Sequence, residues 1–163
     1  MSVRTITAEE IADKLMNREK LFILDVRNKE DYDDWKIEGE GVQSTNIPYF
    51  EFLDGVEPHL NKLPRDKEIV VVCAKEGSSQ MVAEELAAAG YHTAYLQGGM
   101  KGWSTYLYKK KAYEDDKIKV YQFIRPGKGC LSYMVISGAE ALVVDPSRFI
   151  DDYLQTAEEE GVK

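Results

Sequence analysis

Apolar and polar positions fall into blocks along this chain, and the period changes from block to block. Residues 69–72, Ile-Val-Val-Val, are an unbroken β-branched run, the pattern of a central strand covered on both faces. From Ser78 or Ser79 the spacing becomes helical: Met81, Val82, Leu86 and Ala89 share a face, and Gly90 ends it. Upstream, Thr7 and Glu10 predict a capping box for a helix whose buried stripe is Ile11, Leu15 and Met16, running through Asn17. Residues 21–26 predict a short strand ending in Asp25-Val26-Arg27, and residues 29–36 a short helix with Tyr32 and Trp35 on one side. Residues 38–45 read as loop, and Asn46-Ile47-Pro48 as a brief edge element, where proline is tolerated. Short helical pieces are expected over residues 50–53 and 56–63, and a strand over 91–96. A turn follows at Gln97-Gly98-Gly99, then a helix over 100–108 with Trp103 and Leu107 inward. Strands alternating with helices predict an α/β fold: a three-layer arrangement, a parallel sheet flanked by helices.

Past residue 108 the pattern changes. Residues 108–117 are polar and charged and read as a boundary, with Lys109 to Lys111 as a solvated linker. Residues 119–124 alternate, and residues 131–136 and 141–144 predict two strands joined through Gly138-Ala139, an antiparallel hairpin. Asp145-Pro146 closes it. Residues 149–160 predict an amphipathic helix with Ile150, Tyr153, Leu154 and Ala157 inward. The expected organisation is a first domain over residues 1–110 and a partial α+β segment over 111–163. That segment is too small for a good core alone, so it reads as the start of a second domain or an extension packed on the first.

Composition narrows the function. With 44% hydrophobic and 31% charged residues the chain is globular, and its net charge of −8 gives no basic field for nucleic acid or an anionic membrane. No apolar stretch is long enough to cross a bilayer, and the N-terminus has no signal-peptide core. Two cysteines, Cys73 and Cys130, are too few for a disulfide framework, so a cytoplasmic setting is expected. Neither sits in a metal-ligand cluster, and His59 and His92 lie apart; no metal or other cofactor is expected.

Cys73 is the candidate for chemistry. It follows the buried run, and residues 73–77 must wrap over the next helix's N-terminus, where unpaired N–H groups and the helix dipole favour negative charge. A thiol there is favoured as thiolate, the nucleophilic form. The alternative is a small, inert, buried apolar residue.

Several stretches resemble the rhodanese, or sulfurtransferase, family. Ile6-Thr7 with the following helix is similar to its opening. Leu24-Asp25-Val26-Arg27 with Asp31-Tyr32, Asn46-Ile47-Pro48, and Gly98-Gly99-Met100-Lys101-Gly102-Trp103 resemble its further motifs, in order, over about residues 5–108. Cys73 falls at the position of the family's catalytic cysteine. The resemblance implies that its thiolate takes sulfane sulfur as a persulfide and passes it to a thiol or cyanide. Residues Ala74, Lys75, Glu76, Gly77, Ser78 and Ser79 would form the substrate-binding loop, with Asp25 and Arg27 bracing it.

This loop departs from the family's arginine-bearing form. Ser78 stands where an arginine can hold an anionic donor, and Glu76 opposes Lys75, so a persulfide or polysulfide is expected in preference to thiosulfate. Lys36, where the family often has histidine, reads as a solvated charge. Related phosphatases need an arginine six residues after the cysteine, where this chain has Ser79; phosphatase activity is not expected.

Residues 129–135 and 141–146 resemble the first strands of a metallo-β-lactamase-like domain, over about residues 116–163, without that family's HxHxDH motif. Cys130 is expected as a strand or loop residue, a resolving thiol for Cys73 being the alternative. The expected partners are a small-molecule sulfur donor, a thiol acceptor, and a fused or partner metallo-β-lactamase-like domain. Two rival readings follow: a non-catalytic module that regulates such a partner, and a unit that feeds sulfur to a longer metal-dependent fusion.

Overall fold

The capping box at Thr7 forms. Thr7 Oγ1 accepts from the Glu10 backbone N–H at 3.1 Å, and the Glu10 carboxylate accepts from the Thr7 N–H at 2.8 Å, opening α1 (Ala8–Met16). The structure is a computed structural model that describes residues 3–162. Ile11 and Ala12 are buried, whereas Met16 is exposed. It lies five residues from Ile11, which rotates it off the buried face.

Five parallel strands build the first sheet: β1 (Arg4–Ile6), β2 (Leu21–Asp25), β3 (Val42–Asn46), β4 (Ile69–Val72) and β5 (Thr93–Leu96), in the order β1-β5-β4-β2-β3. All four residues of β4 are fully buried at the sheet's centre, as an unbroken β-branched run requires. Register aligns Asp25 with Asn46 on one side and with Val72 on the other. The carboxyl ends of β2, β3 and β4 therefore meet, and Cys73 leaves the sheet there.

Helices α1, α2 (Lys29–Asp34) and α3 (Gly77–Ala88) connect strands of this sheet and α4 (Gly99–Thr105) follows β5, giving the α/β architecture the patterning predicts. The segments before and after Gly55 are 3₁₀ turns, Tyr49–Phe52 and Glu57–Lys62. α2 stops earlier than expected. Trp35 is extended (φ −162°), and its carbonyl accepts from Arg27 Nη2 at 2.6 Å. The expected loop over residues 38–45 is also corrected: Val42 to Asn46 form β3. This edge strand is mostly polar, and pairing with β2 rather than its own apolar pattern makes it a strand.

Compactness divides the chain into two units, Met1–Trp103 and Ser104–Lys163. The second is an antiparallel sheet of β6 (Tyr108–Glu114), β7 (Lys119–Arg125), β8 (Cys130–Ser137) and β9 (Glu140–Val144), in that order, followed by α5 (Asp151–Glu159). β6 occupies the stretch expected as a linker. Its lysines belong to a charged edge strand: Lys109 pairs with Glu159 and Lys111 with Glu114, each at 2.7 Å. The β8–β9 hairpin turns at Gly138 (φ +58°), in the left-handed region that favours glycine.

Phe123, Met134, Ile136 and Tyr153 form this unit's core, with Ala157 packed against them. Ile150 and Leu154, expected inward, are exposed. They lie four residues apart on a stripe turned away from the sheet; Tyr153 and Thr156 take the buried face instead.

Candidate active site

β4 carries Cys73 to the carboxyl edge of the parallel sheet, the place where open α/β sheets bind ligands. The thiol is 6% exposed and lines a cavity of about 370 Å³. Residues 73–78 form one wall; Val26, Arg27, Asn28, Asp31 and Tyr49 form the other. The α3 N-terminus opens on this wall. Its N-cap residue, Glu76, makes no side-chain cap, so helix N–H groups remain for a ligand.

Three hydrogen bonds tie the loop to the Gly98-Gly99 turn. Met100 N–H donates to the Cys73 carbonyl at 2.8 Å, Lys101 N–H to the Ala74 carbonyl at 3.0 Å, and Gly98 N–H to the Glu76 carboxylate at 2.9 Å. Gly99 has φ +56°, and a Cβ there would meet the Lys75 carbonyl oxygen at 2.4 Å. Only glycine lets the turn approach the loop this closely. The paired glycines are visible in the sequence, but their service to a loop over twenty residues away is not.

Each expected site residue has a defined place. Ala74, Lys75, Glu76, Gly77 and Ser78 line the cavity. Ser79 is fully buried behind the thiol: Cys73 S–H donates to Ser79 Oγ at 3.2 Å, and Ser79 O–H donates to the Glu76 carbonyl at 2.7 Å. Asp25 and Arg27 form a buried ion pair at 2.7 Å. Arg27 also reaches the Trp35 carbonyl, and the Asn46 amide donates to the carbonyls of Asp25 and Arg27. Arg27 thus holds the far wall, its charge already matched by Asp25.

Asn28, Asp31 and Tyr49 were not anticipated as cavity residues. Their signal was positional: Asn28 and Asp31 follow the Asp25-Val26-Arg27 strand end, and Tyr49 follows Asn46-Ile47-Pro48. Cys130 begins β8 in the second unit and is exposed. Among the described residues, no group of three or more His, Cys, Asp or Glu could hold a metal ion, and no helix is long and apolar enough to cross a membrane.

The site is thus a thiol at a strand's carboxyl end, wrapped by a loop at a helix N-terminus. Comparison with known proteins places it further. A family model described as Rhodanese-like domain matches residues 7–106, and the chain belongs to that family. It is similar to "Putative sulfurtransferase YtwF" of Bacillus subtilis (strain 168), 27% identical over 103 residues, covering 63% of this chain and 92% of that protein. It is also similar to "Putative sulfur carrier protein YrkF" of the same organism, 31% identical over 104 residues, covering 63% of this chain and 52% of that protein. Among solved structures, a rhodanese-like domain protein from Staphylococcus aureus is 29% identical with a TM-score of 0.53, covering 62% of this chain and 91% of that one. The family match ends at residue 106 and supports the rhodanese part of the sequence resemblance. It lends nothing to the metallo-β-lactamase-like part.

Proposed function

We propose that this protein is a sulfurtransferase that carries sulfane sulfur as a persulfide on Cys73. The observation that carries this reading is the seat of Cys73: at the end of the central strand, in the cavity wall, beside an uncapped helix N-terminus. In the proposed step the Cys73 thiolate attacks the outer sulfur of a donor persulfide, R–S–S⁻. The Cys73–sulfur bond forms as the donor S–S bond breaks, and R–S⁻ leaves. A second nucleophile, a thiolate or cyanide, then takes that sulfur and restores the Cys73 thiolate. The α3 N–H groups favour the negative charge at each stage, which is stabilisation by preorganised donors.

The charges of the cavity support a persulfide or polysulfide donor over thiosulfate. Arg27 is matched by Asp25, and Lys75 shares the lining with two acidic residues, Glu76 and Asp31. Thiosulfate brings two charges on one compact group, which meets little net positive charge there, whereas a persulfide or polysulfide brings a single charge at its reacting end.

The test is intact mass spectrometry after incubation with glutathione persulfide and, separately, thiosulfate. The reading expects a gain of one sulfur on Cys73 with the persulfide, a smaller gain with thiosulfate, and none in Cys73→Ser. Folded protein that gains no sulfur from either donor would leave a non-catalytic rhodanese module as the function.

A further inference from the structure

The second unit holds a cavity of its own, about 230 Å³, at the end of its sheet where β7, β8 and β9 reach their turns. Arg125 closes β7, Cys130 opens β8, and Asp145, Ser147 and Arg148 follow β9. We propose that this cavity binds a small oxyanion, the carboxylate of a low-molecular-weight thiol or a sulfur oxyanion, and holds it against Cys130.

Two arginines line this cavity. Arg125 Nε donates to the Ser104 carbonyl at 2.6 Å, and its guanidinium lies over the Phe149 ring, 5.1 Å from the centroid. Arg148 lies over the same ring at 5.7 Å. Neither arginine forms an ion pair among the described residues, while Lys109, Lys111 and Lys119 of the same unit each have a carboxylate within 3.5 Å. Asp145 supplies a carboxylate to the lining, so the described side chains carry two positive charges against one negative. Two like charges set over one ring repel each other, and an anion bound in the cavity they line relieves that repulsion.

The donors suit an oxyanion. A guanidinium presents a planar fork that matches carboxylate and other oxyanions bidentately. Ser147 Oγ accepts from the Phe149 N–H at 3.2 Å, which leaves its own O–H to donate. The cavity is smaller than the range of about 300–1,000 Å³ that suits drug-sized ligands, so a molecule of few heavy atoms is selected. Cys130 stands exposed in the wall, and among the described residues its thiol makes one long contact, 3.8 Å, to the Lys128 carbonyl. A bound thiol acid would therefore lie beside a second reactive sulfur. This inference is independent of sulfur transfer at Cys73.

Alkylation of Cys130 tests it, in the full chain carrying Cys73→Ser so that Cys130 is the remaining thiol. Iodoacetate carries a carboxylate and iodoacetamide is its neutral counterpart; intact mass gives both rates. At ionic strength held constant with chloride, sodium propionate or sodium sulfate, neither of which consumes the reagent, is expected to slow iodoacetate labelling saturably. Competition by propionate identifies a carboxylate site, and competition by sulfate alone a sulfur-oxyanion site. The double change Arg125→Gln and Arg148→Gln is expected to lower the iodoacetate-to-iodoacetamide ratio about tenfold, with the iodoacetamide rate unchanged. Absence of competition by both anions in the parent protein, which needs no arginine variant to fold, overturns the proposal. So does an equal ratio in parent and double variant.

Discussion

The thiol of Cys73 donates to the hydroxyl of Ser79 at 3.2 Å, and that fully buried hydroxyl already donates to the Glu76 carbonyl at 2.7 Å. This arrangement fits the neutral thiol. When the thiol loses its proton, Ser79 must turn its own O–H toward sulfur, because a thiolate can only accept.

Ser79→Ala is therefore expected to slow persulfide formation on Cys73 by about fivefold, the worth of a hydrogen bond of about 1 kcal/mol. Mass-spectrometric time courses with glutathione persulfide measure it, with Ser79→Thr expected to retain most of the rate. An unchanged rate in Ser79→Ala would reduce the hydroxyl to a packing role.

The Asp25–Arg27 pair is buried at 2.7 Å, and Asp25 also accepts from the Arg27 backbone N–H at 3.0 Å. Removing one member strands a charge in the interior. Asp25→Ala is expected to destabilise the first unit by about 3–5 kcal/mol in urea denaturation. Replacing both residues with apolar ones of similar volume should recover much of that loss, since both charges then leave together.

Gly99 and Gly90 both have positive φ, but their surroundings differ. A Cβ at Gly99 meets the Lys75 carbonyl oxygen at 2.4 Å and the Cys73 carbonyl oxygen at 2.5 Å, while nothing lies within 4 Å of one at Gly90. Gly90→Ala should cost about 1 kcal/mol of backbone strain and leave Cys73 reactivity intact. Gly99→Ala should cost more and should also slow Cys73 persulfidation, because the loop carbonyls must shift. Thermal unfolding and sulfur-loading rates on both variants separate the two effects.

In the second unit, Lys119 Nζ donates to the Glu160 carboxylate at 2.6 Å and the Tyr121 hydroxyl donates to it as well; together they hold the Glu160 carboxyl below its ordinary 4.5. A carboxyl whose pKa is lower folded than unfolded adds stability above its ordinary value and loses it as pH falls through the folded one. Burial raises the Asp152 carboxyl, which acts in the opposite sense, so the comparison needs a variant. The melting temperature of Glu160→Gln should lie below that of the parent at pH 7, and the gap should close below about pH 4.5. A gap constant down to pH 3 would mean the contact does not depend on the charge.

Much of the architecture and the place of Cys73 can be read from local pattern. The run of Ile69, Val70, Val71 and Val72 admits little but a central strand, because four β-branched apolar residues in a row leave no face for water. Thr7 with Glu10 marks a helix start through bonds made within one turn. Gly138-Ala139 between apolar runs marks a hairpin for an equally local reason. The departure of Cys73 toward a helix N-terminus follows from these elements alone.

Tertiary structure decided what depends on a distant neighbour. β3 and β6 are edge strands rich in polar and charged residues; each exists by pairing with β2 or β7, and edge positions face water, so no apolar period announces them. The inward face of α5 was settled by the sheet it covers, which took Tyr153 and Thr156 and left Ile150 and Leu154 outside. The second wall of the Cys73 cavity, with Asn28, Asp31 and Tyr49, arises because parallel pairing brings three strand ends to one edge. Patterns of apolar and polar residues determine which segments fold locally. Which residues meet across the molecule is determined by register and packing, which join positions far apart in the chain.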